Sequence, residues 1–368
     1  MSRILLFLLL VGFLAAGCED ENPDPGNGGD LSSIPYNPVP HFIEQLQEFP
    51  AMKIPEENPL TKDGIALGRH LFFDPILSSD STMGCFSCHL PAGGFTDNLS
   101  VRKGGTGVFG IRSSMSLMNV GYYEKGLFWD GRVSSLEAQA LLPVEDPIEL
   151  HHTWPELEQK LQEHPTYPEL FRKAFGIQNK NQITKTLAAK AIAQFERTIL
   201  VGKNSRFSKL FVLQDGFPTA EELNGSLMFF DASGGTLPAA QCFHCHNRPL
   251  FTNNDYINNG LDEAFSLNDF PDKGRGEVTG RLFENGKFRT PTLWNVALTA
   301  PYMHDGRFNT LEEVLNHYAS GGHYADNLDP LITDIHLSEE NKRDIIIFLK
   351  TLTDTVSLKK PELQNPFQ

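Results

Sequence analysis

The sequence is short of cysteine. Five occur in 368 residues, and apart from Cys18 they fall in two short stretches, Cys85-Phe86-Ser87-Cys88-His89 and Cys242-Phe243-His244-Cys245-His246. None is left over for a structural disulfide, so the fold must be held by its core. At this length and 40% hydrophobic content, the core can serve two domains. Positive charge is also scarce: 31 Lys and Arg stand against 46 Asp and Glu, a net charge of −15. Phosphate backbones repel such a chain, which excludes nucleic acid as a partner and favours a basic protein that the field can steer. Long apolar runs are missing beyond the N-terminus. The run there, Ile4 to Ala16, is too short to span a bilayer. Runs of alternating strand pattern are missing too, which argues against a β architecture.

What is present begins with a leader. One basic residue, Arg3, precedes the apolar run, and small residues follow it, as in a signal peptide. Leu14-Ala15-Ala16-Gly17-Cys18 resembles the bacterial lipobox, whose cysteine is lipidated and becomes the new N-terminus. An ordinary signal peptide cut nearby is the alternative. The expectation is an exported lipoprotein, periplasmic or on the cell surface. Residues 1–17 would be the leader, and the lipid on Cys18 the only membrane attachment. Residues 18–40 are polar and rich in Pro and Gly, the composition of a flexible tether.

C-x-x-C-H is the pattern of covalent haem attachment. Two thiols at this spacing add to the two vinyl groups of one porphyrin, and the adjacent histidine is held against the iron. A thioredoxin-like pair or a four-cysteine zinc site is the competing reading of a single copy. Two copies, both with the histidine and together using every mature cysteine, favour two c-type haems. Cys85, Cys88, Cys242 and Cys245 would attach them, with His89 and His246 as axial ligands.

The repetition extends further. Phe95-Thr96-Asp97-Asn98 follows the first motif as Phe251-Thr252-Asn253-Asn254 follows the second. "RSSMSLMNV" from Arg112 parallels "RTPTLWNV" from Arg289, and "WDGRVSSLEAQ" from Trp129 parallels "HDGRFNTLEEV" from His304. Between these stretches the chain is mostly helical. Residues 184–200 place Leu187, Ala191, Phe195 and Ile199 on one helical face, and Thr219 with Glu222 forms a capping box. The reading is a mainly α protein: two cytochrome c-like haem domains related by internal duplication. The first spans residues 41–205, the second 206–351, and 352–368 form a C-terminal tail.

Matching Asp130-Gly131-Arg132 to Asp305-Gly306-Arg307 sets Pro143 against Tyr318. A phenol can bind iron where a proline cannot, so one haem could be capped and the other open. His317 and Met303 are rival ligands for the second iron.

From about residue 60 to 350 the chain resembles the bacterial di-haem cytochrome c peroxidases and the related MauG proteins. The resemblance is carried by "LGRHLFFDP", "CFSCH", "FWDGRVSSLEAQALLPVEDPIEL", "AIAQFERT", "CFHCH" and "RTPTLWNVALTAPYMHDGRFNTLEEV". It implies a tryptophan between the haems at Trp129, and a peroxidatic site with Gln139 and Glu149. It also implies a calcium ion held partly by the carbonyls of Thr299 and Pro301. The family's calcium-binding asparagine falls at Ser113. Two departures stand out. The loop "SVRKGGTGVFGIR" has no histidine to close the first haem, and Tyr318 stands where the peroxidases carry a methionine ligand. Both match MauG.

The function implied is reduction of hydrogen peroxide to water, with electrons from a small redox protein of cytochrome c or cupredoxin type. The alternatives are a MauG-like oxidase that modifies a partner protein through high-valent iron, and a plain di-haem electron carrier. The resemblance also allows a homodimer.

Overall fold

A computed structural model describes residues 29–46 and 48–368. The leader and Cys18 lie outside the described residues.

Helices dominate. The first half contains α1 (Lys62–Phe73), the single turn α2 (Cys85–Cys88), α3 (Leu136–Glu145), α4 (Trp154–Glu163), α5 (Tyr167–Phe175) and α6 (Lys185–Glu196). The second contains α7 (Ala220–Phe229), the short α8 (Arg275–Thr279), α9 (Leu311–Ala319), α10 (Glu339–Thr351) and the turn α11 (Thr355–Leu358). Sheet structure among the described residues is one antiparallel pair, β1 (Tyr256–Ile257) with β2 (Phe288–Arg289).

Local chemistry sets the helix starts. Thr219 Oγ1 accepts from Glu222 N at 3.2 Å while Glu222 returns a carboxylate to Thr219 N at 2.8 Å, the expected capping box. Thr310 with Glu313 starts α9 in the same way, and Ser338 with Asn341 starts α10. Thr184 does sit at the N-cap of α6, but its side chain makes no capping bond.

Each half is built on one tightly packed helix pair in which a glycine lets two backbones touch. A Cβ at Gly68 of α1 would lie 1.9 Å from Ala191 O of α6. A Cβ at Gly225 of α7 would lie 2.1 Å from Asp344 O of α10. Phe195 and Phe348 occupy matching places beside these contacts. One hydrophobic core runs through both halves, from Phe72, Phe95 and Phe195 to Phe207, Phe229, Phe251, Trp294 and Phe348. A second cluster, with Trp154, Leu157, Tyr167 and Phe171, belongs to α4 and α5.

Both ends of the described chain are tied down. Gly29 O accepts from Lys180 N at 2.9 Å, Leu31 N donates to Gln178 O at 2.8 Å, and Arg172 Nε donates to Ile34 O at 2.8 Å. The flexible reading of residues 18–40 therefore does not extend to 29–40, because Pro- and Gly-rich backbone still pairs where partners are offered. At the other end Leu352, Leu358 and Leu363 are buried. Asp354 accepts from Gly202 N at 2.8 Å, and Gln364 O accepts from Arg69 Nε of α1 at 2.8 Å. The tail thus clasps the first half.

Candidate functional site: two matched cavities

Both C-x-x-C-H stretches fold as a single helical turn, closed by His89 N to Cys85 O at 3.0 Å and His246 N to Cys242 O at 2.8 Å. That turn brings thiols and imidazole to one wall. His89 Nδ1 lies 3.0 Å from Phe95 O, and His246 Nδ1 lies 3.1 Å from Phe251 O and from Pro291 O. A donated Nδ1–H fixes the tautomer and leaves Nε2 as the free lone pair. Phe95 and Phe251 reach those positions with φ of 58° and 52°, left-handed backbone that costs about 1–2 kcal/mol outside glycine. These carbonyls were missed at the sequence level; their signal is the repeated Phe-Thr that follows each motif. Burial holds His89 below the usual imidazole range and brings His246 down to about 4. Burial also pushes the Cys88 and Cys245 thiols up to about 11, Cys242 to about 12 and Cys85 further still.

The first wall faces a cavity of about 350 Å³ lined by Cys85, Cys88 and His89, with Gln139, Pro143 and Glu149 also in its lining. Leu117, Val120, Leu136, Val144 and Ile192 make the rest mostly apolar. An apolar slot with two thiols and a free imidazole nitrogen suits a covalently attached haem. Gln139 and Pro143 come from α3, where the proline removes the N–H that would have bonded Gln139 O. Glu149 follows α3 in a loop that accepts Gly105 N at 2.7 Å. Burial, then the Asp146 carboxylate, pushes Glu149 up to about 7 against the pull of Arg132. The histidine-free loop passes over this cavity with Arg102, Lys103, Gly104, Gly110 and Ile111 in its lining. Gly104 is required there, since a Cβ would meet Ile148 O at 1.8 Å.

Glu196 at the end of α6 also lines this cavity and was not singled out in the sequence. It is 4% exposed, its Oε2 has no hydrogen-bond partner, and burial pushes it up to about 8. Its only sequence signal is a carboxylate on the buried face of an amphipathic helix.

The second cavity, about 190 Å³, is lined by Cys242 and His246 together with Met303 and Tyr318. Burial pushes the Tyr318 phenol up to about 12, with Asn259 pulling the other way through a hydrogen bond. His317 is directed elsewhere, its Nε2 lying 3.0 Å from Asn259 O. Slots of the same construction therefore end in a carboxyl and amide in one case, and in a phenol and thioether in the other.

Trp129 lines both cavities. Its indole N–H donates to Ser113 O at 2.9 Å, and its own carbonyl accepts from Arg289 N at 2.8 Å. Two repeat-matched arginines brace the turn. Arg112 binds Asp130 at 2.5 Å and Asp272 at 2.8 Å through two nitrogens, while buried Arg289 holds Gly126 O and the Tyr256 hydroxyl.

Thr299, Pro301 and Ser113 line the second cavity. Ser113 Oγ donates to the carbonyls of Met303 at 3.1 Å and His304 at 3.2 Å. Calcium takes six to eight oxygens from carboxylates, carbonyls and waters. Among the described residues no group of three or more acidic, His or Cys side chains converges. The calcium expectation rests on the carbonyls of Thr299 and Pro301, and no step below uses the ion.

Two slots, each pairing a Cys-x-x-Cys turn with a carbonyl-anchored histidine, define a c-type di-haem protein. The comparisons agree. Residues 62–215 match the family model described as di-haem cytochrome c peroxidase. Cytochrome-c peroxidase IdrP1 of Denitromonas iodatirespirans is 33% identical over 88% of this chain and 90% of its own. Methylamine utilization protein MauG of Methylorubrum extorquens is 33% identical over 84% of each chain. A crystal structure of a MauG-like protein associated with microbial copper homeostasis superposes with a TM-score of 0.79, at 31% identity over 88% of this chain and 99% of its own. The chain belongs to the di-haem cytochrome c peroxidase and MauG family, an oxidoreductase family with two c-type haems.

Proposed function

We propose that the chain reduces hydrogen peroxide to water, drawing electrons from a small redox protein. The observation that carries this reading is the contrast across the cavities: Glu149 and Gln139, with Pro143 at the repeat-matched position, in the first, and Tyr318 in the second. A haem in each would supply redox-active iron. His89 and His246 would hold the irons, and Cys85, Cys88, Cys242 and Cys245 would tether the rings. Glu149, titrating near 7, takes the proton from the near peroxide oxygen and delivers it to the departing one. Gln139 orients peroxide through its amide. Trp129 lies between the cavities as the electron bridge. Two protons and two electrons per peroxide give two waters. A pure electron carrier has no use for the first wall.

The Tyr318 wall favours a second reading, oxidation of a bound partner protein in the manner of MauG, with the same first-cavity chemistry. Export, with a lipid on Cys18 and action in the periplasm or at the cell surface, completes the proposal. Among the described residues no helix is long and apolar enough to cross a membrane.

Glu149→Gln tests the central step. Haem content should stay at two per chain while the rate constant for the peroxide step falls about 10²–10⁴-fold. The base form exists above the Glu149 pKa. The wild-type rate should therefore rise with pH up to about 7 and then level, whereas the variant stays flat. Stopped-flow traces across pH 5–9 decide; equal rates in both proteins refute the role.

A further inference from the structure

Asn259 follows β1 in the stretch Tyr256-Ile257-Asn258-Asn259-Gly260. Alternation along extended backbone sends Ile257 and Asn259 to the second cavity, which both line, and leaves Asn258 on the other side, 2% exposed. Asn258 anchors the segment. Its Nδ2 donates to Asn327 Oδ1 at 2.9 Å, its Oδ1 accepts from Gly260 N at 2.9 Å, and its carbonyl accepts from Asp329 N at 3.0 Å. Gly260, at φ 72°, packs so closely that a Cβ would lie 2.9 Å from Gly322 Cα. The backbone of Asn259 is therefore held from both sides.

Three side chains could offer the second iron a sixth ligand, and all three meet Asn259. Its carbonyl engages His317 Nε2 at 3.0 Å, which withdraws that imidazole. Its amide nitrogen lies 3.4 Å from Tyr318 Oη and 3.4 Å from Met303 Sδ. An NH₂ has two N–H groups, so one can go to each. The consequences differ by acceptor. The phenolic oxygen is a good acceptor that can hold an N–H and still keep a lone pair for a metal. The thioether is a weak acceptor whose orientation toward a metal the neighbouring N–H competes with.

We propose that Asn259 selects the oxygen of Tyr318 over the sulfur of Met303 as the axial ligand of the second haem. The inference rests on the reading of Tyr318 as that ligand. Asn259 acts through Tyr318 and Met303 and is a positioning residue.

The test uses the holoprotein and reads ligation directly. In Asn259→Leu both N–H groups are lost while the branched shape is kept. Near-infrared magnetic circular dichroism should show loss of the tyrosinate signature and gain of a thioether-to-ferric band. Potentiometry should show the second haem's potential rise. Asn259→Asp, the same size with an oxygen in place of Nδ2, should shift both readouts the same way. Adding Met303→Leu to Asn259→Leu should abolish the sulfur band. Unchanged spectra and potentials in both Asn259 variants overturn the inference. Tyr318→Phe separates the two claims. If it leaves the wild-type spectrum intact, the ligand reading itself is wrong; if it changes the spectrum while the Asn259 variants do not, only the selection role fails.

Discussion

The two cavities share their attachment wall and differ in the wall that decides chemistry. Cys85–His89 and Cys242–His246 are closed by the same hydrogen bond, and each histidine is fixed by a phenylalanine carbonyl in left-handed backbone. The opposite walls come from α3 and α9, helices that begin alike, at Ser135 and at Thr310. Two turns later they diverge. Pro143 in α3 offers iron no donor, and Glu149 stands beyond it; Tyr318 in α9 offers a phenol. Two similar attachment walls are thus faced by different side chains, and function lives in sites grafted on folds.

The largest effect expected from breaking this comparison concerns attachment. Replacing Cys85 and Cys88 by alanine should remove one of two covalent haems, and replacing Cys242 and Cys245 the other. Pyridine haemochrome assay with haem staining of the denatured protein measures it; two haems per chain in either double variant would refute the shared wall.

Tyr318→Met makes the second wall resemble that of a methionine-ligated peroxidase. An anionic phenolate stabilises ferric iron and a thioether the ferrous state, so the second haem's potential should rise. Peroxide access to the first cavity should be unchanged. Identical titration curves for variant and wild type would remove Tyr318 from the iron.

A smaller effect should come from Glu196, an unpartnered carboxyl in the first cavity. It titrates from an ordinary 4.5 when unfolded and near 8 when folded. Between those values the folded state binds more protons, so wild-type stability falls as pH rises, and the loss is complete above about 8. Glu196→Gln removes that slope. The holoprotein variant should match wild type at pH 4 and be more stable at pH 9, by on the order of 1 kcal/mol or more. Parallel denaturation curves at both pH values would show that the carboxyl is solvated.

Much of this was legible in the sequence because its causes are local. The Cys-x-x-Cys-His turns, the box at Thr219, and the Pro143–Tyr318 contrast depend on residues within a few positions or on the repeat register. The rest depends on distant contacts. Asn259 meets Met303 and Tyr318 from 44 and 59 residues away. Glu196 reads as an ordinary helix carboxylate until α1 and α3 cover it. The segment 352–368 has a tail's composition, yet Asp354 and Gln364 bind residues of the first half. The calcium expectation came from the resemblance alone, at Thr299 and Pro301, and no local pattern in the sequence carries it.

The claim that one cavity is open and the other closed is tested most directly by electron paramagnetic resonance of the resting diferric protein, before and after one equivalent of peroxide. The account predicts one high-spin and one low-spin ferric signal, with the high-spin signal lost on adding peroxide and no prior reduction needed. Two low-spin signals that persist in peroxide would contradict it.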